Sequence, residues 1–156
     1  MAIATRAVDY THQGTALEGV LAFDQAKSGK RPVVIISHAW AGRTHQEIGF
    51  AKEIAARGYA GFALDLYGKG VVGANKDECQ ALMTPFIADR GKLQSRLLHA
   101  LDTVKELPEV DPGKVVAMGF CFGGLCELDR PRAGADLLGV ASFHGLLGAP
   151  EGPDAG

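Results

Sequence analysis

Short apolar runs alternate along this chain with longer stretches in which apolar residues recur at the spacing of a helix. The runs have the length of strands, and the stretches between them have the length of helices. The pattern predicts strands at 4–10, 15–23, 33–36, 59–64, 114–118 and 137–143. It predicts helices from about Gln46 to Gly58, from about Asp77 to Leu107 with a break near Pro85, and from Phe122 to about Asp129. The last helix is expected to end before Pro131.

Alternating strands and helices are typical of an α/β fold. The first two strands flank the turn-like cluster His12-Gln13-Gly14 and are predicted to form a hairpin. For the rest of the chain we expect a mostly parallel sheet with helices on both faces, in a single domain over residues 1–156.

Ligands of open α/β sheets bind beyond the carboxyl ends of the strands. Four predicted ends carry polar, aromatic or thiol side chains, and we expect all four to face one crevice. In chain order, these ends are Ser37 to Gly42, Asp65 to Tyr67, Cys121, and His144-Gly145.

A cysteine lies at the sharpest predicted turn, between an apolar strand and a helix. The segment Gly119-Phe120-Cys121-Phe122-Gly123 has the pattern of a nucleophile elbow with cysteine at its centre. Such a turn strains the central residue and lifts its side chain above the sheet, and the glycines avoid crowding across the turn. Unpaired N–H groups at the start of a helix favour the thiolate, which is the reactive form. Cys121 is therefore a predicted nucleophile; the alternative is a small buried thiol in a tight turn.

The other residues at the strand ends have structural interpretations beside the functional ones. His38 and His144 could supply a base, but a loop-shaping histidine and a turn histidine are the favoured interpretations. Asp65 could orient a histidine, although a carboxylate at such a junction more often caps a turn. Trp40 and Tyr67 line the substrate crevice or pack against the core.

Composition narrows the choice of function mainly by exclusion. The 156 residues are 47% hydrophobic and 22% charged with a net charge of −2, which is typical of a globular domain and disfavours nucleic acid or an anionic membrane surface as a partner. A small molecule is the expected partner, and the amino terminus lacks a secretory pattern, so a cytoplasmic location is expected. Cys79, Cys121 and Cys126 have neither disulfide-framework nor zinc-site spacing, so we expect no metal site. No cofactor is expected either.

Four motifs in this order resemble the dienelactone hydrolase family, α/β-hydrolases with a cysteine nucleophile. The resemblance implies a hydrolase that cleaves a small carboxylic ester or lactone through an acyl-thioester on Cys121. It also implies an oxyanion hole formed by the backbone N–H of Phe122 and by a second N–H, from Ala39 or Trp40, beside a crevice with His38, Tyr67 and His144 at its edge. The motifs are Ser37-His38-Ala39-Trp40-Ala41-Gly42-Arg43, Asp65-Leu66-Tyr67-Gly68, Gly119-Phe120-Cys121-Phe122-Gly123-Gly124 and Ser142-Phe143-His144-Gly145.

The chain also departs from that family's pattern. Ala39 stands where members that act on dienelactone have an acidic residue, and the family's catalytic aspartate and histidine lie on loops after its last two strands. Because this sequence reaches only Gly156, we expect a truncated domain, and the alternative function is an inactive fragment or a small-molecule binding module. A thiol-redox pair of Cys121 and Cys126 is disfavoured, since residues five apart on a helix do not share a face. In a truncated domain, the strand 137–143 would be an edge strand, and its edge would be available for self-association.

Overall fold

The computed structural model of the chain describes residues 1–147. The predicted end of the domain at Gly156 lies outside the described residues. The elements are β1 (Ile3–His12), β2 (Thr15–Asp24), β3 (Arg31–Ser37), α1 (His45–Ala56), β4 (Ala60–Ala63), α2 (Lys76–Ala88), α3 (Arg90–Lys105), β5 (Val110–Phe120), α4 (Phe122–Arg132) and β6 (Gly139–Phe143).

These strands form one sheet in the order β1-β2-β4-β3-β5-β6. Strands β4, β3, β5 and β6 are parallel, and the hairpin β1-β2 joins them antiparallel through the β2–β4 pair. The predicted α/β fold is confirmed, and so is the amino-terminal hairpin. Its turn residues Gln13 and Gly14 both have positive φ, which matches the right-handed twist of the two strands.

Helix α4 continues through Pro131, so the prediction that it ends before Pro131 is wrong. The helix runs to Arg132 and is terminated by Gly134, whose φ is +77°. The Gly134 N–H donates to the Pro131 carbonyl at 3.0 Å and the Ala135 N–H donates to the Arg130 carbonyl at 3.0 Å, which is the Schellman pattern of helix termination. The proline lies in the last turn, where the missing N–H removes a single helical bond, and the glycine decides where the helix stops.

The break in the long helical stretch is at Asp89 and not near Pro85, which lies inside α2. Asp89 ends α2 with a non-helical backbone and begins α3, because its side chain accepts a hydrogen bond from the Lys92 N–H at 2.9 Å. Strand β5 also begins at Val110, earlier than predicted, because Arg31 and Val110 pair before an irregularity in the β3–β5 register.

The larger core lies between the sheet and the helices α3 and α4, and a smaller one lies beneath α1 on the opposite face. Strand β3 is central, and its last residue, Ser37, is in register with Gly119 of β5. From β3 the chain goes to β4 on one side and then crosses to β5 on the other side, so the ends of β3 and β5 meet where doubly wound sheets bind ligands.

One end of the sheet carries exposed apolar residues. Phe50 of α1, Phe120 of β5 and Phe143 of β6 stack in a row with ring centroids 5.3 and 4.8 Å apart, and Phe143 remains 44% exposed. Beyond it, Leu147 is 76% exposed. Among residues 1–147, no helix combines the length and the apolarity needed to cross a membrane.

Candidate active site

Cys121 lies between β5 and α4 with φ 56° and ψ −117°. Such a backbone is rare for a residue with a side chain and costs about 1–3 kcal/mol unless its surroundings hold it in place. One contact that holds it is the hydrogen bond from the Cys121 N–H to the Phe143 carbonyl at 3.0 Å. The side chain is half-buried and does not cap the helix that follows. The thiol is therefore fixed at the end of β5 without a capping role.

Two glycines allow this turn. A Cβ atom at Gly119 would collide with the backbone carbonyl of Gly123, which is the crowding predicted across the elbow. A Cβ atom at Gly123 would collide with the backbone carbonyl of Ser37, at the end of β3. Since neither obstacle is a flexible side chain, relief would require the backbone to move. Gly123 therefore sets how closely α4 approaches the end of β3.

We expect Gly119→Ala to destabilise the protein by about 2–3 kcal/mol, because the added methyl group overpacks a backbone contact. Gly49→Ala, inside α1, is the matched control, since its Cβ would meet no atom within 4 Å. That change should stabilise the protein by about 0.5–1 kcal/mol, since alanine favours a helix. Urea unfolding measures both, and equal stability of the two variants would contradict the crowded elbow.

The loop after β3 has its carbonyl groups tied down. The Ala39 carbonyl accepts hydrogen bonds from Nδ1 of His38 at 2.7 Å and from the Gly42 N–H at 3.2 Å, and the Trp40 carbonyl accepts one from the Tyr67 hydroxyl at 2.9 Å. The Ala39 carbonyl and the Trp40 N–H belong to the same trans peptide group and point in opposite directions. Because both bonds hold the Ala39 carbonyl towards the loop, the Trp40 N–H points away from it. Within residues 1–147, that N–H has no hydrogen-bond partner.

His38 is fully buried, which corrects the expectation that it lines the crevice. Its Nδ1 is bonded to Ala39, its Nε2 accepts the Leu66 N–H at 3.2 Å, and its ring packs against Tyr67 at 4.7 Å between centroids. Burial is the main cause that lowers its pKa, so the ring is neutral. With both nitrogens in use, His38 shapes the loop.

This buried histidine predicts how stability depends on pH. A histidine whose pKa is lowered in the folded state stabilises the protein fully above the unfolded value of 6.5, and that stability falls as the unfolded state takes up protons below 6.5. His38→Asn should therefore weaken the loss of stability between about pH 7 and pH 5. His45→Asn, at an exposed position, should keep the wild-type dependence. Urea midpoints measured across this range give both slopes, and equal slopes would contradict a neutral buried His38.

Asp65 and Tyr67 have structural roles. One carboxylate oxygen of Asp65 accepts the N–H groups of Tyr67 and Gly68, each at 3.1 Å, and the other accepts the Glu18 N–H at 3.0 Å. The acid therefore caps the turn after β4, as the simpler interpretation had it. Tyr67 is only 9% exposed, and its hydroxyl holds the Trp40 carbonyl, so it supports the loop more than it lines a crevice.

His144 lies on the other side of the elbow, at the end of β6. It is exposed, has φ 40°, and its ring centroid is 6.0 Å from that of Phe120. It directly follows Phe143, whose carbonyl holds the Cys121 N–H. The four parallel strands thus bring Cys121, Phe122, the β3 loop and His144 to the same end of the sheet, where the carboxyl ends of the strands lie.

The other two thiols, Cys79 and Cys126, are buried. Cys126 has no exposed surface, and burial raises its pKa well above the ordinary value, so it is a poor redox partner for Cys121. Cys79 is buried, and its sulfur contacts the Gly73 carbonyl at 3.6 Å. Within residues 1–147, no group of three or more His, Cys, Asp or Glu side chains is arranged to hold a metal ion.

Sequence reasoning missed a buried ion pair in the elbow helix. Glu127 and Arg130 are both completely buried, and Nε of Arg130 donates to the Glu127 carboxylate at 2.8 Å. The available signal was the spacing of opposite charges, three residues apart on a helix that starts at the elbow.

The fold and this site define a protein of the α/β-hydrolase class with a cysteine at the strand-to-helix elbow. The sequence model of the dienelactone hydrolase family matches residues 17–155. The chain belongs to the dienelactone hydrolase family, so the resemblance seen in the sequence is confirmed.

Solved structures agree with this assignment. A dienelactone hydrolase-like promiscuous phosphotriesterase, P91, from metagenomic libraries is 35% identical, with a TM-score of 0.93 over 99% of this chain. The chain spans 64% of the length of that protein. A dienelactone hydrolase of Klebsiella pneumoniae, described as putative, shares the fold, with a TM-score of 0.80 at 19% identity over 99% of this chain and 65% of its own. An uncharacterized Caenorhabditis elegans protein, K02A2.1, is 51% identical over 63 residues, 40% of each chain.

Proposed function

We propose that this chain carries the nucleophile and the oxyanion hole of a hydrolase that cleaves a small carboxylic ester or lactone through Cys121. The observation that carries the proposal is the strained backbone of Cys121 at the β5–α4 junction, held by Phe143 and free of a capping role. Strain of this kind persists only where the surrounding structure determines it, and it is common at reactive centres. Membership of a hydrolase family supports the same conclusion.

The proposed reaction begins when the Cys121 thiolate attacks the carbonyl carbon of the ester. A carbon–sulfur bond forms and the carbonyl oxygen takes up the negative charge. The carbonyl double bond then re-forms as the carbon–oxygen bond to the leaving group breaks, and the leaving oxygen takes up the proton that the thiol lost to solvent when it became a thiolate. Water hydrolyses the thioester, releases the carboxylic acid and restores the thiol. This is the two-step course of covalent catalysis.

Two backbone donors are proposed to stabilise the oxyanion. The Phe122 N–H is the first of its helix, where N–H groups have no partner within the helix. For the second donor we favour Trp40 over Ala39, because the fixed Ala39 carbonyl turns the Trp40 N–H out of the loop. Fixed donors stabilise the developing charge without reorganising, and removing one such donor typically costs about 10²–10³ in rate.

Turnover needs a base that the described residues supply poorly. Both ring nitrogens of His38 are bonded and its pKa is lowered by burial, so it is unsuited to accept and release protons. His144 is exposed at the end of β6, so it is the described histidine to test. Loss of general acid–base catalysis costs about 10²–10⁴ in rate. We therefore expect rapid acylation of this chain and slow release of product, and a pure binding module is the alternative.

The test is hydrolysis of p-nitrophenyl acetate by the 156-residue chain, with the mass of the intact protein followed in parallel. A burst of nitrophenolate with one acetyl adduct and little turnover is the expected result. Steady turnover would make His144→Gln the next variant, since a working base would then lie within the chain. Absence of both burst and adduct would contradict the proposal and favour the binding module.

We also propose that two copies of the chain associate through β6. Within residues 1–147 this strand is an edge of the sheet, and residues 137–147 contain no Asp, Glu, Lys or Arg to oppose pairing with another chain. Ala141→Lys, at an exposed position of β6, should shift the protein towards the monomer by analytical ultracentrifugation. Ala7→Lys makes the same change on β1, at the opposite edge, and should leave association unchanged. A monomeric wild type, or loss of association only with Ala7→Lys, would contradict pairing through β6.

A further inference from the structure

The buried pair Glu127–Arg130 reaches beyond its own helix. Besides Nε, which is bonded to Glu127, the Arg130 guanidinium donates Nη1 to the Leu97 carbonyl of α3 at 3.2 Å and Nη2 to the Ser37 hydroxyl at 3.3 Å. Arginine holds such contacts in a rigid fork, so the three partners are fixed relative to one another. The pair therefore links α4, α3 and the end of β3.

Ser37 is the residue where this link meets the candidate site. It ends β3 and directly precedes His38, the first residue of the loop that carries Ala39 and Trp40. Its hydroxyl is held by Arg130, and its backbone carbonyl lies against Gly123 in the first turn of α4. Ser37 thus contacts α4 at two places, at Gly123 near the start of the helix and at Arg130 near its end.

We propose that Glu127 and Arg130 are positioning residues that act through Ser37 to set the distance between the two halves of the oxyanion hole. One half, the Phe122 N–H, belongs to α4, and the other half belongs to the loop that Ser37 begins. This inference rests on the function proposed above. A displacement of about 1 Å at a reacting centre can cost about 10²-fold in rate, so a clamp on this spacing affects catalysis as well as folding.

The geometry separates this role from simple stabilisation. Glu127 Oε1 is buried and has no hydrogen-bond partner within residues 1–147, and apolar side chains of similar volume would avoid that cost. Apolar side chains could fill the space but could not donate to the Ser37 hydroxyl. The polar pair thus gives a directed contact that an apolar pair would not.

Ser37→Ala is the variant that tests the clamp, because it removes the hydroxyl and leaves the ion pair in place. Ser142→Ala is the matched control: Ser142 Oγ is also buried, and its strand position pairs with Gly119, but it has no hydrogen-bond partner within residues 1–147. Two reactions of Cys121 are compared in each protein. Acylation by p-nitrophenyl acetate develops an oxyanion, whereas alkylation by iodoacetamide does not.

We expect Ser37→Ala to slow acylation by about tenfold or more and to change alkylation by less than about twofold, while Ser142→Ala leaves both rates near wild type. The double variant Glu127→Met/Arg130→Leu should show the same selective loss of acylation. Unchanged acylation in Ser37→Ala would overturn the proposal. Equal slowing of both reactions would also overturn it, since the thiol and not the oxyanion hole would then be affected.

A second measurement keeps this inference separate from the proposed function. Amide hydrogen exchange at Gly42, whose N–H donates to the Ala39 carbonyl at 3.2 Å, reports the order of the loop whether or not any ester reacts. Faster exchange in Ser37→Ala than in Ser142→Ala supports the clamp, and equal exchange in the two variants overturns it. If the wild type forms no acyl adduct, the proposed function fails, and the exchange rates alone decide whether Ser37 is clamped.

Discussion

Replacing Cys121 with alanine is expected to abolish the acyl adduct and to lower the burst of product from an activated ester by at least about 10³-fold. The thiol is the only group of this residue that can form the thioester, and the alanine side chain fits wherever cysteine fits. The fold should survive, because Cys121 makes no side-chain hydrogen bond that caps α4. Burst kinetics and intact mass measure the loss.

Cys126→Ala and Cys79→Ala are the controls for this prediction. Both thiols are buried and neither lies at the elbow, so both variants should keep the adduct. Retention of the adduct in Cys121→Ala, or its loss in Cys126→Ala, would contradict the assignment of the nucleophile. Either result would place the reactive group elsewhere in the chain.

Replacing Arg130 with methionine is expected to destabilise the protein by about 3–5 kcal/mol, because it leaves Glu127 buried without its positive partner. The change also removes the donors to Leu97 and Ser37. Burial already raises the pKa of Glu127, and the charge of Arg130 opposes that rise. Without Arg130 the pKa of Glu127 should rise further. The free energy of unfolding lost relative to wild type should therefore be larger at pH 8 than at pH 5.5. Urea unfolding at the two pH values measures both effects.

The double variant Glu127→Met/Arg130→Leu is the control for this second prediction. Removing both charges together leaves no unpaired group, so most of the stability lost in Arg130→Met should return. The additional dependence on pH that Arg130→Met introduces should be lost as well, since the Glu127 carboxyl is gone. A double variant less stable than Arg130→Met would contradict a cost that arises from the unpaired carboxylate.

The sequence predicted the parts of the fold that follow from local pattern. The apolar run 114–118 and the elbow glycines located the junction at Cys121, and the turn at Gln13-Gly14 located the hairpin. The motif order also identified the family. Each of these features is encoded within a few neighbouring residues, so an amphipathic period or a turn residue reveals it.

Errors arose at helix ends, where a proline competed with a neighbouring glycine or capping residue and with packing in the core. Pro131 predicted the end of α4, but Gly134 provides the termination, and Arg130 anchors the last turn in the core. Pro85 predicted a break that Asp89 makes instead, because its side chain caps the next helix.

The candidate site showed the same limit. The loop after β3 was predicted as a contributor to the crevice, but the burial of His38 depends on Leu66 and Tyr67, which follow a different strand. The clamp on Ser37 joins residues 93 positions apart, and no sequence period marks such a contact. Packing between distant segments decides these features, and only the folded structure shows it.

The most direct test of the central claim is to map the acyl group after the chain reacts with one equivalent of p-nitrophenyl acetate. Proteolysis followed by peptide mass spectrometry identifies the modified residue. The structure predicts acetyl only on the peptide that contains Cys121, formed before product release becomes limiting. Acetyl spread over lysines or on Cys79, with an unmodified Cys121, would show that the elbow does not hold an active nucleophile.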